Sequence, residues 1–212
     1  MNIGKEMKMK NGLIHILAIL TLGVILSIHF GCASSPPSRF YRLSSLDTTP
    51  PGMKPAADEP CVSIGIGPVK IPEYLDHARI VTLEGGNQLT LAEFDRWAEL
   101  LKYNLVRVLA KNLSTLLCTK TIVLYPWRGG TPIDYRIEME VLRLDGSLGG
   151  NVSLEAWWMI RSGDGKKTVF SKQSAFTEAV TGKDYNSLVS AESRTVGLLS
   201  GEIAEAIKKL PK

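Results

Sequence analysis

The stretch Asn151-Val-Ser-Leu-Glu-Ala-Trp-Trp-Met-Ile-Arg161 alternates two kinds of side chain. Neighbours along a strand point to opposite faces. Val152, Leu154, Ala156, Trp158 and Ile160 therefore share one apolar face that belongs in a core. Ser153, Glu155, Trp157, Met159 and Arg161 share the other, where charge is mixed with two large apolar groups. This second face is either covered by a helix or open to a partner, and Trp157 and Met159 are its candidate contact residues.

Working outward, strands are predicted at about 134–144 and 167–178, set off by Gly149-Gly150 and Gly163-Asp164-Gly165. Three strands in a row with short turns form a meander. Beyond it, Asp184 caps a final helix whose stripe is Leu188, Val196, Leu199, Ile203 and Ile207, with Lys208 and Lys209 complementing the dipole at its end. Before the meander, Thr121 to Tyr125 is an apolar strand stopped by Pro126. Thr90-Leu-Ala-Glu93 has the form of a capping box and predicts a helix running to about Leu117. Phe94, Trp97, Leu101, Leu105, Val108 and Leu116 would be its buried stripe, with Asp95, Arg96, Glu99, Lys102 and Lys111 opposite.

Further back, Arg79 to Leu83 and Gln88 to Leu91 read as a hairpin across Gly85-Gly86. Val62, Ile64 and Ile66 alternate with Ser63, Gly65 and Gly67, which predicts a strand with one buried face. Arg39 to Leu43 reads as a short edge strand, and residues 44–60, with prolines at 50, 51, 55 and 60, as an irregular loop. The expectation is a single α/β domain: a mixed β-sheet with two main helices and no internal repeat.

The N-terminal segment is of another kind. Lys5, Lys8 and Lys10 precede an apolar run from Leu13 to Phe30, closed by Gly31-Cys32. Basic residues that stay in the cytoplasm ahead of an apolar stretch are the pattern of an export signal. The run is also long enough for a permanent transmembrane helix. A small residue directly before a cysteine, followed by Ala33-Ser-Ser-Pro-Pro37, favours cleavage and acylation. His29-Phe-Gly-Cys32 resembles a bacterial lipobox, although His29 and Phe30 stand where such boxes usually have Leu and a small residue. The organisation expected is 1–31 signal peptide, 32–38 lipidated tether and 39–212 periplasmic domain. Diacylglycerol and an N-acyl chain such as palmitate would be carried by Cys32. Ala33, rather than Asp, after the cysteine points to the periplasmic face of the outer membrane.

Several classes are excluded by what is missing. Without residues 1–31 the chain keeps 22 basic and 20 acidic side chains, a net of +2, with no basic stripe for nucleic acid. His77 is then the one remaining histidine, so any His-based metal site or triad would have to be built around it. Gly65-Ile-Gly67 fails as a dinucleotide loop because Pro68 intervenes and Lys70 holds the place of the third glycine. No Gly-x-Ser-x-Gly elbow occurs, and Asp76 beside His77 has no matched nucleophile. No enzyme, metal or dissociable cofactor is expected.

Cys61 and Cys118 are either two buried thiols or one disulfide. The oxidising compartment favours the bond. So does position: Cys61 begins one strand and Cys118 precedes the strand that returns from the long helix. If the two strands are parallel neighbours, both sulfurs lie at one sheet edge.

Ordered matches resemble one family. They are Ile64-Gly-Ile-Gly-Pro-Val69, Ile71-Pro-Glu-Tyr-Leu-Asp76, Arg79-Ile-Val-Thr82, Ala92-Glu-Phe-Asp-Arg-Trp-Ala-Glu99, Tyr125-Pro-Trp127, Leu144-Asp-Gly146, Ala156-Trp-Trp158, Tyr185, Val189-Ser-Ala-Glu-Ser193 and Glu202-Ile-Ala204. Together they are similar to the ABC-type transport auxiliary lipoproteins, the group of paraquat-inducible protein C and YmbA-like lipoproteins. Trp157 departs from it, standing where a charged residue is common. The resemblance implies a fold similar to the TolB N-terminal or anticodon-binding-like folds. It further implies a membrane-anchored adaptor for an MCE-domain protein and its ABC transporter, in lipid traffic between the inner and outer membranes. The alternative is a lipid-binding carrier that holds an acyl chain in its own cavity. Self-association into a homo-oligomer is left open.

Overall fold

The computed structural model describes residues 15–17, 19–21, 35–47, 61–127 and 130–211. Contacts divide the chain into Met1–Pro37 and Ser38–Lys212. The second unit carries both sheets and the two long helices. Cys32 lies outside the described residues.

Five strands form the main sheet: β2 (Val62–Lys70), β5 (Thr119–Leu124), β6 (Tyr135–Gly146), β7 (Asn151–Ser162) and β8 (Thr168–Ala179), in the order β5-β2-β6-β7-β8. β2 runs parallel to both β5 and β6, and the meander β6-β7-β8 is antiparallel. A second sheet of three strands has the order β1-β4-β3, from Arg39–Tyr41, Gln88–Trp97 and Arg79–Glu84. Two helices, α1 (Leu101–Leu116) and α2 (Tyr185–Lys208), pack on each other and on the main sheet. This is the expected mixed α/β domain with two main helices, with the three-stranded sheet added.

The helices cover one face of the main sheet. Ile64, Ile66, Ile137, Leu154, Ala156, Trp158 and Ile160 point into that layer and are completely buried. They meet Leu105, Leu109 and Leu113 of α1 and Leu188, Leu199 and Ile203 of α2. Asp184 caps α2 by accepting the Ser187 N–H at 2.9 Å. Two buried asparagines of α1 fasten the segment after β1: Asn104 accepts the Leu43 N–H at 2.6 Å, and Asn112 accepts that of Leu46 at 2.8 Å. The segment after β1 is thereby fixed to the helix layer.

The predicted first helix begins too early. Thr90–Glu93 lies within strand β4, and α1 starts only at Leu101, with no side-chain cap at Leu100. Asp95, expected on the polar side of a helix, is 4% exposed. It accepts Arg39 Nε and Nη2, both at 2.8 Å, and the Tyr41 hydroxyl at 2.7 Å. A carboxylate satisfied by the paired strand β1 outweighs a local capping signal. A second difference concerns β2, whose far face is buried as well. Trp127 and Ile133 lie over Gly65, where a Cβ would stand 2.9 Å from Trp127 Nε1.

Candidate docking face

Among the described residues no helix covers the other face of the main sheet over β6-β7-β8. Cross-strand register sets its rows: Glu140 opposite Trp157 opposite Gln173, then Glu138 opposite Met159 opposite Ser171. Trp157 is 45% exposed at the centre of this face. Beside it a shallow hollow of about 210 Å³ is lined by Pro68, Lys70, Glu138, Met139, Glu140, Trp157 and Met159. Of the two candidate contact residues, Trp157 is exposed and Met159 beside it is half-buried.

A second hollow was not legible in the sequence. It has a volume of about 360 Å³ and lies where β2 and β5 end against the start of α1. Tyr103, Tyr125 and Leu124 are exposed there, and Pro68 borders this hollow and the first one. Tyr103 falls off the apolar stripe of its helix, and Tyr125 belongs to an aromatic cluster around Pro126. Those were the available signals. Gly67, at φ +115°, lets the chain turn here, since a Cβ would stand 2.6 Å from Tyr125 Cβ.

Several charged groups away from these hollows have structural roles. Asp145 is buried, accepting the Tyr74 hydroxyl at 2.9 Å and Arg143 Nε at 2.8 Å. Burial first, and then the hydrogen bond to Asp145, pushes the Tyr74 phenol well above its ordinary range. Glu192 of α2 is 2% exposed, and its Oε2 has no hydrogen-bond partner. Burial, and then the charge of Asp145, pushes its pKa up to about 8. Burial alone would raise Asp95 too, but the bonds from Arg39 and Tyr41 bring it below the usual carboxylate range. His77 accepts the Arg79 N–H through Nδ1 at 3.2 Å, the role of a turn residue. Among the described residues no three His, Cys, Asp or Glu side chains are grouped to hold a metal ion.

Cys61 and Cys118 are joined by a disulfide with Cα atoms 4.4 Å apart. They stand at the start of β2 and just before β5, where the Val62 N–H donates to the Cys118 carbonyl at 2.9 Å. The bond ties the starts of β2 and β5 together, at the opposite end of these strands from the second hollow.

The family model for the ABC-type transport auxiliary lipoprotein component matches residues 41–204. The chain belongs to this family. Every element from β2 to the body of α2 falls inside the match, including the open face around Trp157. Two solved structures share the fold of this auxiliary lipoprotein. One, a crystal structure of an uncharacterized protein, is 18% identical with a TM-score of 0.65, covering 81% of this chain and 99% of its own. The other, protein XCC0632 from Xanthomonas campestris, of family DUF330, is 13% identical with a TM-score of 0.63, covering 78% and 92%. No curated protein sequence matches the chain significantly.

Proposed function

We propose that this auxiliary lipoprotein is an adaptor, anchored to the periplasmic face of the outer membrane by acyl chains on Cys32. It would hold an MCE-domain protein and its ABC transporter in register for lipid transfer between the two membranes. The observation that carries the proposal is the open sheet face centred on Trp157, 45% exposed on a three-stranded meander. An exposed tryptophan with an adjacent Met, ringed by charged groups, has the composition of an interface centre. The family supplies the setting, an ABC transport system. The role is binding rather than catalysis: the buried carboxylates Asp95 and Asp145 are held by Arg39, Tyr41, Tyr74 and Arg143, and no nucleophile stands beside a matched base among the described residues.

The filled layer between helices and sheet supports the adaptor over a carrier. Leu105, Leu113, Leu154, Trp158, Leu199 and Ile203 occupy the space an internal acyl chain would need. The test is co-purification from intact cells after crosslinking, together with lipid extraction from the same sample. The adaptor predicts an MCE-domain protein bound and no stoichiometric phospholipid. Phospholipid at one equivalent with no MCE-domain partner would replace it with the carrier.

A further inference from the structure

Two arginines face each other on the same side of the main sheet, away from the helices. Arg136 of β6 is in direct register with Arg161 of β7, and with Gly65 of β2 on its other side. Residues directly opposite on neighbouring strands have Cβ atoms about 5 Å apart, and like charges so placed repel. A sheet gains nothing by this unless something else neutralises the pair.

The surroundings do so only in part. Arg161 Nη1 lies 3.5 Å from Glu138 Oε1, beyond a good hydrogen bond, and Arg136 has no ion-pair partner among the described residues. Asp164, on the adjoining turn, accepts the Ser162 hydroxyl at 2.6 Å and the Lys166 N–H at 2.9 Å through Oδ1, and its charge reaches Arg136 without an ion-pair contact. The Nε atoms of both arginines are buried without a hydrogen-bond partner. Meanwhile Arg136 is well positioned: its guanidinium carbon lies 4.6 Å from the ring centroid of Trp127. Gly165 leaves room for it, since a Cβ there would come within 2.6 Å of Arg136 Nη1. Here are two oriented guanidinium forks with unmet donors and mutual repulsion.

We propose that Arg136 and Arg161 form a binding site for a phosphate group. A tetrahedral oxyanion offers acceptors to two guanidiniums at once and removes the repulsion between them, which a single carboxylate at the edge does not. The stacked Trp127 holds one fork in place before the ligand arrives. Free phosphate and the phosphodiester of a lipid headgroup share this chemistry. The site stands independently of the adaptor reading.

The test is calorimetric titration of the full chain, in neutral detergent, with inorganic phosphate and with glycerophosphoglycerol, against sodium chloride at equal ionic strength. Saturable binding of either anion is expected. The first marks free phosphate as the source, the second a lipid headgroup. Arg136→Gln and Arg161→Gln should each weaken binding at least about ten-fold, while Lys102→Gln on α1, which removes the same charge, leaves it unchanged. In phosphate-free buffer Arg161→Gln should also melt higher than wild type, because the repulsion is gone. If neither anion exceeds the chloride control, or both arginine variants bind as wild type does, the proposal is wrong. A lower melting temperature for Arg161→Gln would show a pair retained for structure, and would overturn it equally.

Discussion

Trp157 and Trp158 are adjacent in β7 and stand on opposite faces of the sheet. The first is 45% exposed; the second is fully buried and donates its Nε1 hydrogen to Ser174 Oγ at 2.9 Å. Trp158 also stacks on Phe170, with ring centroids 5.1 Å apart. Ser174 passes the contact on to Glu202 of α2, which pairs with Lys172. Trp158→Ala should therefore cost about 3–5 kcal/mol as a core truncation. Trp157→Ala should leave the melting temperature nearly unchanged and weaken partner binding. Denaturant titration of both variants checks this, and equal large losses would mean that Trp157 is core.

The sequence already located this pair, because period-2 alternation survives wherever one face is buried and the other open. It failed at β4 because a distant contact outweighed a local signal. Thr90–Glu93 carries a helix-start signal that is local, whereas the decision lay with Arg39 and Tyr41, more than fifty residues earlier, which bond Asp95. The buried far face of β2 was hidden in the same way, since Trp127 and Ile133 fold back on Gly65. The arginine pair was illegible too: Arg136 and Arg161 come together only through register.

The disulfide between Cys61 and Cys118 spans 57 residues of sequence. Its removal should destabilise the domain by roughly 4 kcal/mol in the chain-entropy limit. Mass spectrometry of protein from periplasm, kept free of reductant, should show the two linked peptides. Two fully alkylated thiols in that sample would contradict the pairing.

Glu192 makes stability depend on pH. Its folded pKa is pushed up to about 8, from an ordinary value of 4.5. Between those values the unfolded chain is ionised while the folded one keeps its proton, so folding binds a proton there. Stability therefore falls as pH rises through this window and levels off above about 8. Glu192→Gln should flatten the slope and stabilise the domain at pH 8 by about a few kcal/mol. Urea titrations from pH 5 to pH 9 read it directly. A wild-type curve parallel to that of the variant would show that Glu192 ionises freely.

Acylation of Cys32 is a separate expectation. Labelled palmitate should enter the mature protein, and Cys32→Ala should abolish labelling and leave the chain uncleaved. Unlabelled wild-type protein that retains residues 13–30 would indicate anchoring by that segment instead.

The adaptor reading rests most heavily on what touches the open sheet face. A photo-crosslinking amino acid placed at Trp157 in the full chain, and irradiated in intact cells, interrogates that contact. The account predicts a crosslink to an MCE-domain protein, absent when the same probe replaces the buried Leu154. A probe at Trp157 that captures only phospholipid, or gives no adduct while the protein stays folded and anchored, would contradict it.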